Sequence, residues 1–302
     1  MFTNLTHDHQ DQHPSPEHYF ASKAQLFHAL PAEGAVAVVN GCDEASELLL
    51  EITPPGARRF AYGARSRGAP QLPLAATAGD PEITLEGTAA DIELGAELGG
   101  GSVRLSTRAV GEVFLENALA AYVTCLALGA PRGALLARLA EASPPRGRFE
   151  VVGRKPTVVV DYAHTPDALE RTVATARALT HGQVTIVFGA GGHRDRAKRP
   201  LMGAAVARAD RVILTSDNTR DEDPAVIARA IAEGIPAGVA TEVELDREQA
   251  IRRAVLEATP EDVIVVAGKG HESTQTVGSV ATAFSDTDVA RAVLAARWGE
   301  GR

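Results

Sequence analysis

From Thr157 to the end, the chain alternates short apolar runs with amphipathic stretches. TVVVDYA, QVTIVFG, RVILTS and DVIVVAG read as strands, and DALERTVATARAL, PLMGAAVARA, PAVIARAIAEG and DVARAVLAARW as helices. A run with no polar alternation is buried on both faces, and a helix between two such runs is a crossover connection. The pattern therefore predicts a mostly parallel, doubly wound α/β sheet. Ligands of such sheets bind beyond the carboxyl ends of the strands, which directs attention to the residues following each run. These are polar in four places: Asp161, Tyr162 and His164; GAGGHRDRAKRP; Asp217, Asn218, Thr219 and Arg220; and GKGHE. One shared site at the strand ends is the economical expectation.

The first half is less regular. HDHQDQHPSPEH reads as a polar loop, YFASKAQLFHAL as a helix, AVAVV at residues 35–39 as a buried strand and ASELLLEI as a helix. Between about 55 and 108, Gly, Pro and Thr abound and stretches such as EITLEG and SVRLST alternate, which predicts antiparallel strands and hairpins. ENALAAYVTCLALG is an apolar helix ending at Gly129, ALLARLAEA is a second helix, and GRFEVVGRKP reads as a hinge. With 302 residues, two domains are expected, at 1–150 and 151–302.

Several function classes drop out. A net charge of -9 opposes phosphate-backbone binding, so nucleic acid is not an expected partner. Cys42 and Cys125 are too few for a disulfide framework or zinc ribbon and read as reduced thiols. No apolar run of about 18 residues and no leader pattern occurs, so no membrane partner and a cytoplasmic location are expected. GAGGHR carries Arg194 where a dinucleotide fingerprint has its third glycine, and a tight strand-to-helix turn explains it equally well. Lys269 in GKG lacks the surroundings of a phosphate-loop lysine. His7, His9, Asp11 and His13 miss the HxHxDH spacing of a metal hydrolase by one residue, and His7, His18 and His28 read as solvated.

The strings FTNLTHDHQDQHPSPEHYFASKAQLF, GRFE, DYAHTPDAL, FGAGGHRDRAKRPLMG, SDNTRDEDP and GKGHE, in this order, resemble the Mur ligases of peptidoglycan synthesis. The likeness is greatest to the tripeptide synthetase branch, which adds the third amino acid to UDP-N-acetylmuramoyl-L-alanyl-D-glutamate. The resemblance implies a partial central ATPase domain followed by a Rossmann-like C-terminal domain. It further implies an ATP-dependent amide ligase that activates a carboxylate as an acyl phosphate, which the incoming amine displaces. By the same resemblance the chain begins partway through the central domain, without the UDP-binding domain, the GxxGKT-type phosphate loop or the first acidic magnesium ligand.

Residue by residue, the resemblance implies ATP and Mg2+ as cofactors. His9 matches a magnesium-binding histidine, and Lys23 matches a lysine carried as a carbamate, an anion that helps hold magnesium. From the residues alone Lys23 reads as a surface lysine. Asn40, Asp43, Asn117, Arg148, Asp161, Tyr162 and His164 match the nucleotide side. Arg194, Asp217, Asn218, Arg220, Gly268 and Glu272 match the amino-acid side, where guanidinium groups take carboxylates and Glu272 takes an ammonium. The arginine of DNTR points to meso-diaminopimelate rather than lysine.

Departures from the family pattern fall at His7, Cys42, Phe114, His193 and Thr219, and three of them weaken pairing on the ATP side. Two expectations follow: a ligase seen in part, or a short noncatalytic or split subunit that binds the amino acid. A cut central sheet would expose an apolar edge, so residues 1–150 are expected to pair with a complementary chain carrying the phosphate loop, or in a homodimer.

Overall fold

The computed structural model describes residues 1–6 and 13–299. The chain forms two compact units, Met1–Ser143 and Pro144–Arg302. In the first, α1 (Pro16–His28), β1 (Val36–Asn40), α2 (Ala45–Ile52) and β2 (Arg58–Ala64) precede a run of strands, β3 (Ala76–Ala78), β4 (Glu82–Thr84), β5 (Gly87–Leu94) and β6 (Gly101–Thr107). Helices α3 (Glu112–Ala127) and α4 (Arg132–Glu141) follow. The sheet runs β1-β2-β3-β5-β4, with β6 paired to β5.

Hairpin geometry was expected throughout residues 55–108, but it holds only from β3 onward. Strands β1, β2 and β3 are parallel, while β5 is antiparallel to β3, β4 and β6. The reason lies in burial. The last five residues of β2, Phe60 to Ala64, are buried without alternation, as a strand covered on both faces requires. Helix α3 packs Leu115, Leu119, Tyr122 and Val123 with Phe60, Tyr62 and Ile92 on one face. Phe27 and Leu49 of α1 and α2 cover Ala37, Val39 and Ala61 on the other. Helix α1 starts at Pro16, three residues before the apolar spacing begins, because Ser15 accepts from the His18 amide as N-cap and proline suits the first turn.

The second unit contains β7 (Glu150–Arg154), β8 (Thr157–Asp161), α5 (Pro166–Ala178), β9 (Val184–Phe188), α6 (Lys198–Ala205), β10 (Arg211–Leu214) and α7 (Pro224–Ala232). It continues through β11 (Ala240–Val243), α8 (Arg247–Glu257), β12 (Val263–Ala267), a hairpin of β13 (Thr274–Val277) and β14 (Val280–Ala283), and α9 (Asp286–Trp298). The sheet order is β11-β10-β9-β12-β8-β7, parallel except for β7.

Side-chain alternation divides the core. Val184, Ile186, Phe188, Val263 and Val265 meet α5, α6 and α7, whereas Val158, Val160, Val187, Ile264 and Val266 meet α8 and α9. Each such side chain contributes about 1.5–3 kcal/mol on burial, which accounts for the doubly covered sheet predicted from its apolar runs. The GRFEVVGRKP stretch is not a free hinge. Glu150–Arg154 form an edge strand antiparallel to β8, with a register shift between Val151 and Gly153. Strand β11 and helix α8 were not foreseen. Strand β11 is a largely exposed edge with no apolar run, and α8 buries only Ala250, Ile251, Ala254 and Val255 beside the buried Arg247.

Candidate functional site

Two loops at the carboxyl end of the second sheet converge on a buried cation. Lys269, which follows β12, has a side chain of 0% exposure. Its Nζ donates to Asn218 Oδ1 and to Glu272 Oε2, each at 3.1 Å, and lies 3.6 Å from Asp217 Oδ1. Asn218 Nδ2 donates to the same Glu272 oxygen at 2.9 Å, and its Oδ1 also accepts from the Thr276 amide. The loop after β10 and the loop after β12 are thereby locked through side chains. Gly268 has φ 114°, and a Cβ there would lie 2.8 Å from Asp217 Oδ2, so both backbone and space demand glycine.

Arg220 follows in the same loop with φ 51°. Its Nη1 donates to the Gly192 carbonyl at 2.6 Å, which ties the β10 loop to the loop after β9. The hairpin completes the hold: the Arg220 amide donates to the Thr276 carbonyl, and the Gly278 amide donates to the Arg220 carbonyl. Arg194 and Arg220 both border Gly191, whose absent Cβ would contact Arg220 Nη1 and Arg194 Cγ at 3.4 and 3.5 Å. Behind them Glu222 accepts from both terminal nitrogens of Arg199, from the His193 amide and from Arg196. These bonds, those of Arg199 first, hold its carboxyl down at about 2. His193, Arg220 and Phe149 are the non-glycine residues of positive φ among those described, and all three sit in the motif loops GGHR, DNTR and GRFE.

A second group, aromatic and basic, uses the end of β8. The Arg148 guanidinium lies 4.3 Å from the centroid of the Tyr162 ring. Tyr162 meets His164 edge-on at 4.7 Å and His271 at 5.2 Å between centroids. Glycines make the approach possible, since a Cβ on Gly270 would lie 2.7 Å from that of Tyr162, and one on Gly147 would overlap Gly270 and His271. Asp161 stands beneath this group. Its Oδ1 accepts from the Phe149 and Tyr162 amides and its Oδ2 from the Thr172 hydroxyl. Burial raises its carboxyl above the ordinary value against the pull of those three bonds and of Arg148. Asp161 thus organises the loop from within, while Arg148, Tyr162 and His164 present a cation and flat rings, a surface suited to a planar or anionic group.

The candidate residues of the first unit do not gather in this way. Asn40 is buried and gives its Nδ2 to the Thr3 carbonyl while its Oδ1 accepts from Cys42. Asp43 accepts from the amides of Leu5 and Ala45. Both hold the N-terminal segment against the end of β1. Asn117 lies on the exposed side of α3, and Lys23 is half-buried on α1 with Nζ 4.8 Å from the Tyr19 ring centroid. His9 lies outside the described residues. Among those described, no group of three or more His, Cys, Asp or Glu side chains could hold a metal ion. His18 and His28 are exposed, as solvated residues should be.

Four participants escaped sequence reasoning. Lys269 fails as a phosphate-loop lysine and lies in the GKGHE stretch expected at the shared site, but no sequence pattern assigns its own side chain a role there. His271 follows from the same GKGHE string. Arg247 and Asp286, which form a fully buried ion pair, lie on elements that gave no motif.

Comparison with known proteins gives consistent matches. The model of the Mur ligase middle domain matches residues 1–125, and that of the Mur ligase, glutamate ligase domain matches residues 147–270. The UDP-N-acetylmuramoyl-L-alanyl-D-glutamate--2,6-diaminopimelate ligase of Synechococcus elongatus is 43% identical over 301 residues, with 98% of this chain and 58% of the relative covered. The protein of the same name from Geobacillus kaustophilus is 39% identical over 309 residues, with coverages of 98% and 60%. This chain thus spans about three fifths of the length of these curated relatives.

Among solved structures, a UDP-N-acetylmuramoyl-L-alanyl-D-glutamate--2,6-diaminopimelate ligase superposes with a TM-score of 0.62 at 33% identity, covering 98% of this chain and 59% of that one. A MurF ligase from Thermotoga maritima in complex with ADP gives 0.67 at 15% identity, covering 88% and 57%, and shares the fold. No helix among the described residues is long and apolar enough to cross a membrane.

Proposed function

Because this chain belongs to the Mur ligase family, we propose that it provides the amino-acid-binding part of an ATP-dependent amide ligase of peptidoglycan precursor synthesis. The acceptor is meso-diaminopimelate, and the product is its amide with UDP-N-acetylmuramoyl-L-alanyl-D-glutamate. The single observation carrying this reading is the convergence of Asn218 and Glu272 on the buried Lys269 beside Gly268, in the same loops as Arg220, with Arg194 and Arg220 both bordering Gly191. An amino acid with two zwitterionic ends needs cationic forks for its carboxylates and an anion for an ammonium. Guanidinium groups and a half-exposed carboxylate supply these.

In the proposed reaction the substrate carboxylate takes the terminal phosphoryl group of ATP, releasing ADP and leaving an acyl phosphate. The acceptor amine then attacks the acyl carbon, forming the amide and releasing phosphate and a proton. The residues of this chain bind and orient the acceptor, and Arg148, Tyr162 and His164 face the nucleotide. No GxxGKT-type phosphate loop occurs in these 302 residues. Among the described residues no group of three or more acidic, histidine or cysteine side chains could hold a magnesium ion.

Calorimetric titration of meso-diaminopimelate, with L-lysine as control, tests the reading. Binding of diaminopimelate and not lysine, lost in Arg220→Ala, is the expected result. Equal binding of both, or binding unchanged by the substitution, refutes the assignment.

A further inference from the structure

Arg247 begins α8, where a cation opposes the helix dipole, and its side chain is fully buried, so local helix energetics do not explain it. Nor does net stability, because a buried ion pair gains little over well-packed apolar residues. Its contacts offer a reason. Nε and Nη2 donate to Asp286 Oδ1 and Oδ2, each at 2.7 Å, and Asp286 is the first residue of α9. Nη2 also donates to the Ala267 carbonyl at 2.9 Å, and Nη1 to the Ser216 carbonyl at 3.3 Å.

Ala267 ends β12 and directly precedes Gly268. Ser216 directly precedes Asp217 and Asn218. Strand β9 lies between β10 and β12, so no ladder hydrogen bond joins their ends to each other. Neighbouring strands are tied by their backbones at this edge: the Thr215 amide donates to Phe188, and the Gly268 amide donates to Asp161. Arg247 supplies a second tie that skips a strand, at the strand ends beneath the lock that Lys269, Asn218 and Glu272 make between the same loops. Its planar fork meets a carboxylate and two carbonyls at once, a geometry that a lysine ammonium does not reproduce.

We propose that Arg247, fixed by Asp286, is a positioning residue that sets the spacing between the Asp217–Arg220 loop and the Gly268–Glu272 loop, and hence the affinity of the site they form. The ligand part of this inference rests on the amino-acid-site reading above. Arg247 has no role in touching the acceptor; it acts on the carbonyls one residue behind the groups that do.

The test compares Arg247→Lys with Val255→Ala. Val255 is a buried residue of the same helix packed in the α8 and α9 core, eight residues or about 12 Å of helix beyond Arg247. Thermal midpoints are measured first, and the comparison is made at a temperature where both variants are folded. Diaminopimelate affinity by calorimetry and amide hydrogen exchange are the readouts. Arg247→Lys is expected to weaken binding about ten- to a hundredfold, with faster exchange at 216–220 and 268–272 and unchanged exchange at 158–160. Val255→Ala should leave affinity and loop exchange as in the wild type, whatever its midpoint. Equal effects of the two substitutions on affinity, or unchanged exchange in both loops of Arg247→Lys, overturn the proposal. If the wild-type chain binds no diaminopimelate, the ligand reading falls. The exchange arm still decides the clamp: selective acceleration of the two loops sustains it, and uniform or absent acceleration removes it.

Discussion

The two units put polar side chains at the ends of parallel strands, yet with different results. At the end of β1, Asn40 and Asp43 spend their bonding capacity on the backbone of Thr3, Leu5, Cys42 and Ala45. At the ends of β10 and β12, Lys269 gathers an amide and two carboxylates into one cluster, and Glu272 stays half-exposed beside it. A polar residue at a strand end therefore has two uses. Neutral amides and lone carboxylates that meet backbone groups fasten a segment. Opposite charges that meet one another, with one member still reached by solvent, lock two loops together and, in the proposed reading, prepare a receptor for a charged ligand.

Substitutions sharpen that contrast. The largest effect is expected for Lys269→Met, which leaves Asp217 and Glu272 without their shared cation. Chemical denaturation should show a loss of about 3 kcal/mol, and a loss no larger than that of a surface lysine would break the account of the cluster. Asp43→Ala removes the acceptor of two backbone amides in the first unit. A loss of about 2 kcal/mol is expected in the same measurement, with diaminopimelate binding unchanged. Reduced binding in this variant would blur the division of roles.

Glu222→Gln keeps some hydrogen bonding to Arg199 and should cost about 1 kcal/mol at neutral pH. Its pH profile carries the stronger information. The Glu222 carboxyl is lowered from 4.5 to about 2 in the fold, so its contribution is complete above 4.5 and disappears as the pH falls to about 2. The wild-type stability curve should drop across that window more steeply than that of Glu222→Gln, and parallel curves would contradict the ion-pair picture. The smallest effect is expected for Lys23→Ala, about 0.5 kcal/mol from the contact with Tyr19.

Much of the second unit was legible because its apolar runs leave little choice. TVVV, VTIVF, RVIL and VIVVA can be buried on both faces only as inner strands, whereas the caps Thr165, Asp223 and Ser285 of α5, α7 and α9 were found only in the structure. The first unit was harder to read. RRFAYGA sits among alternating stretches and looks like its neighbours, while its parallel pairing with β1 depends on α3 and α2 covering its two faces. The edge strand β11 carries no apolar signal at all.

The sequence by itself determined the doubly wound half, the strand-end position of its polar motifs and the family to which they point. These follow from local pattern, which each residue carries with it. Only the tertiary structure decided which polar residues would meet. It set Lys269 between Asp217 and Glu272, turned Asp43 toward the backbone of Leu5, and carried Arg247 past β9 to the carbonyls of Ser216 and Ala267. Lys269 and Glu272 are three positions apart, but the other pairings join residues from 20 positions apart, as Arg247 and Ala267, to more than 50, as Lys269 and Asn218, and their partners are chosen by the path of the chain through the sheet, which no local pattern contains.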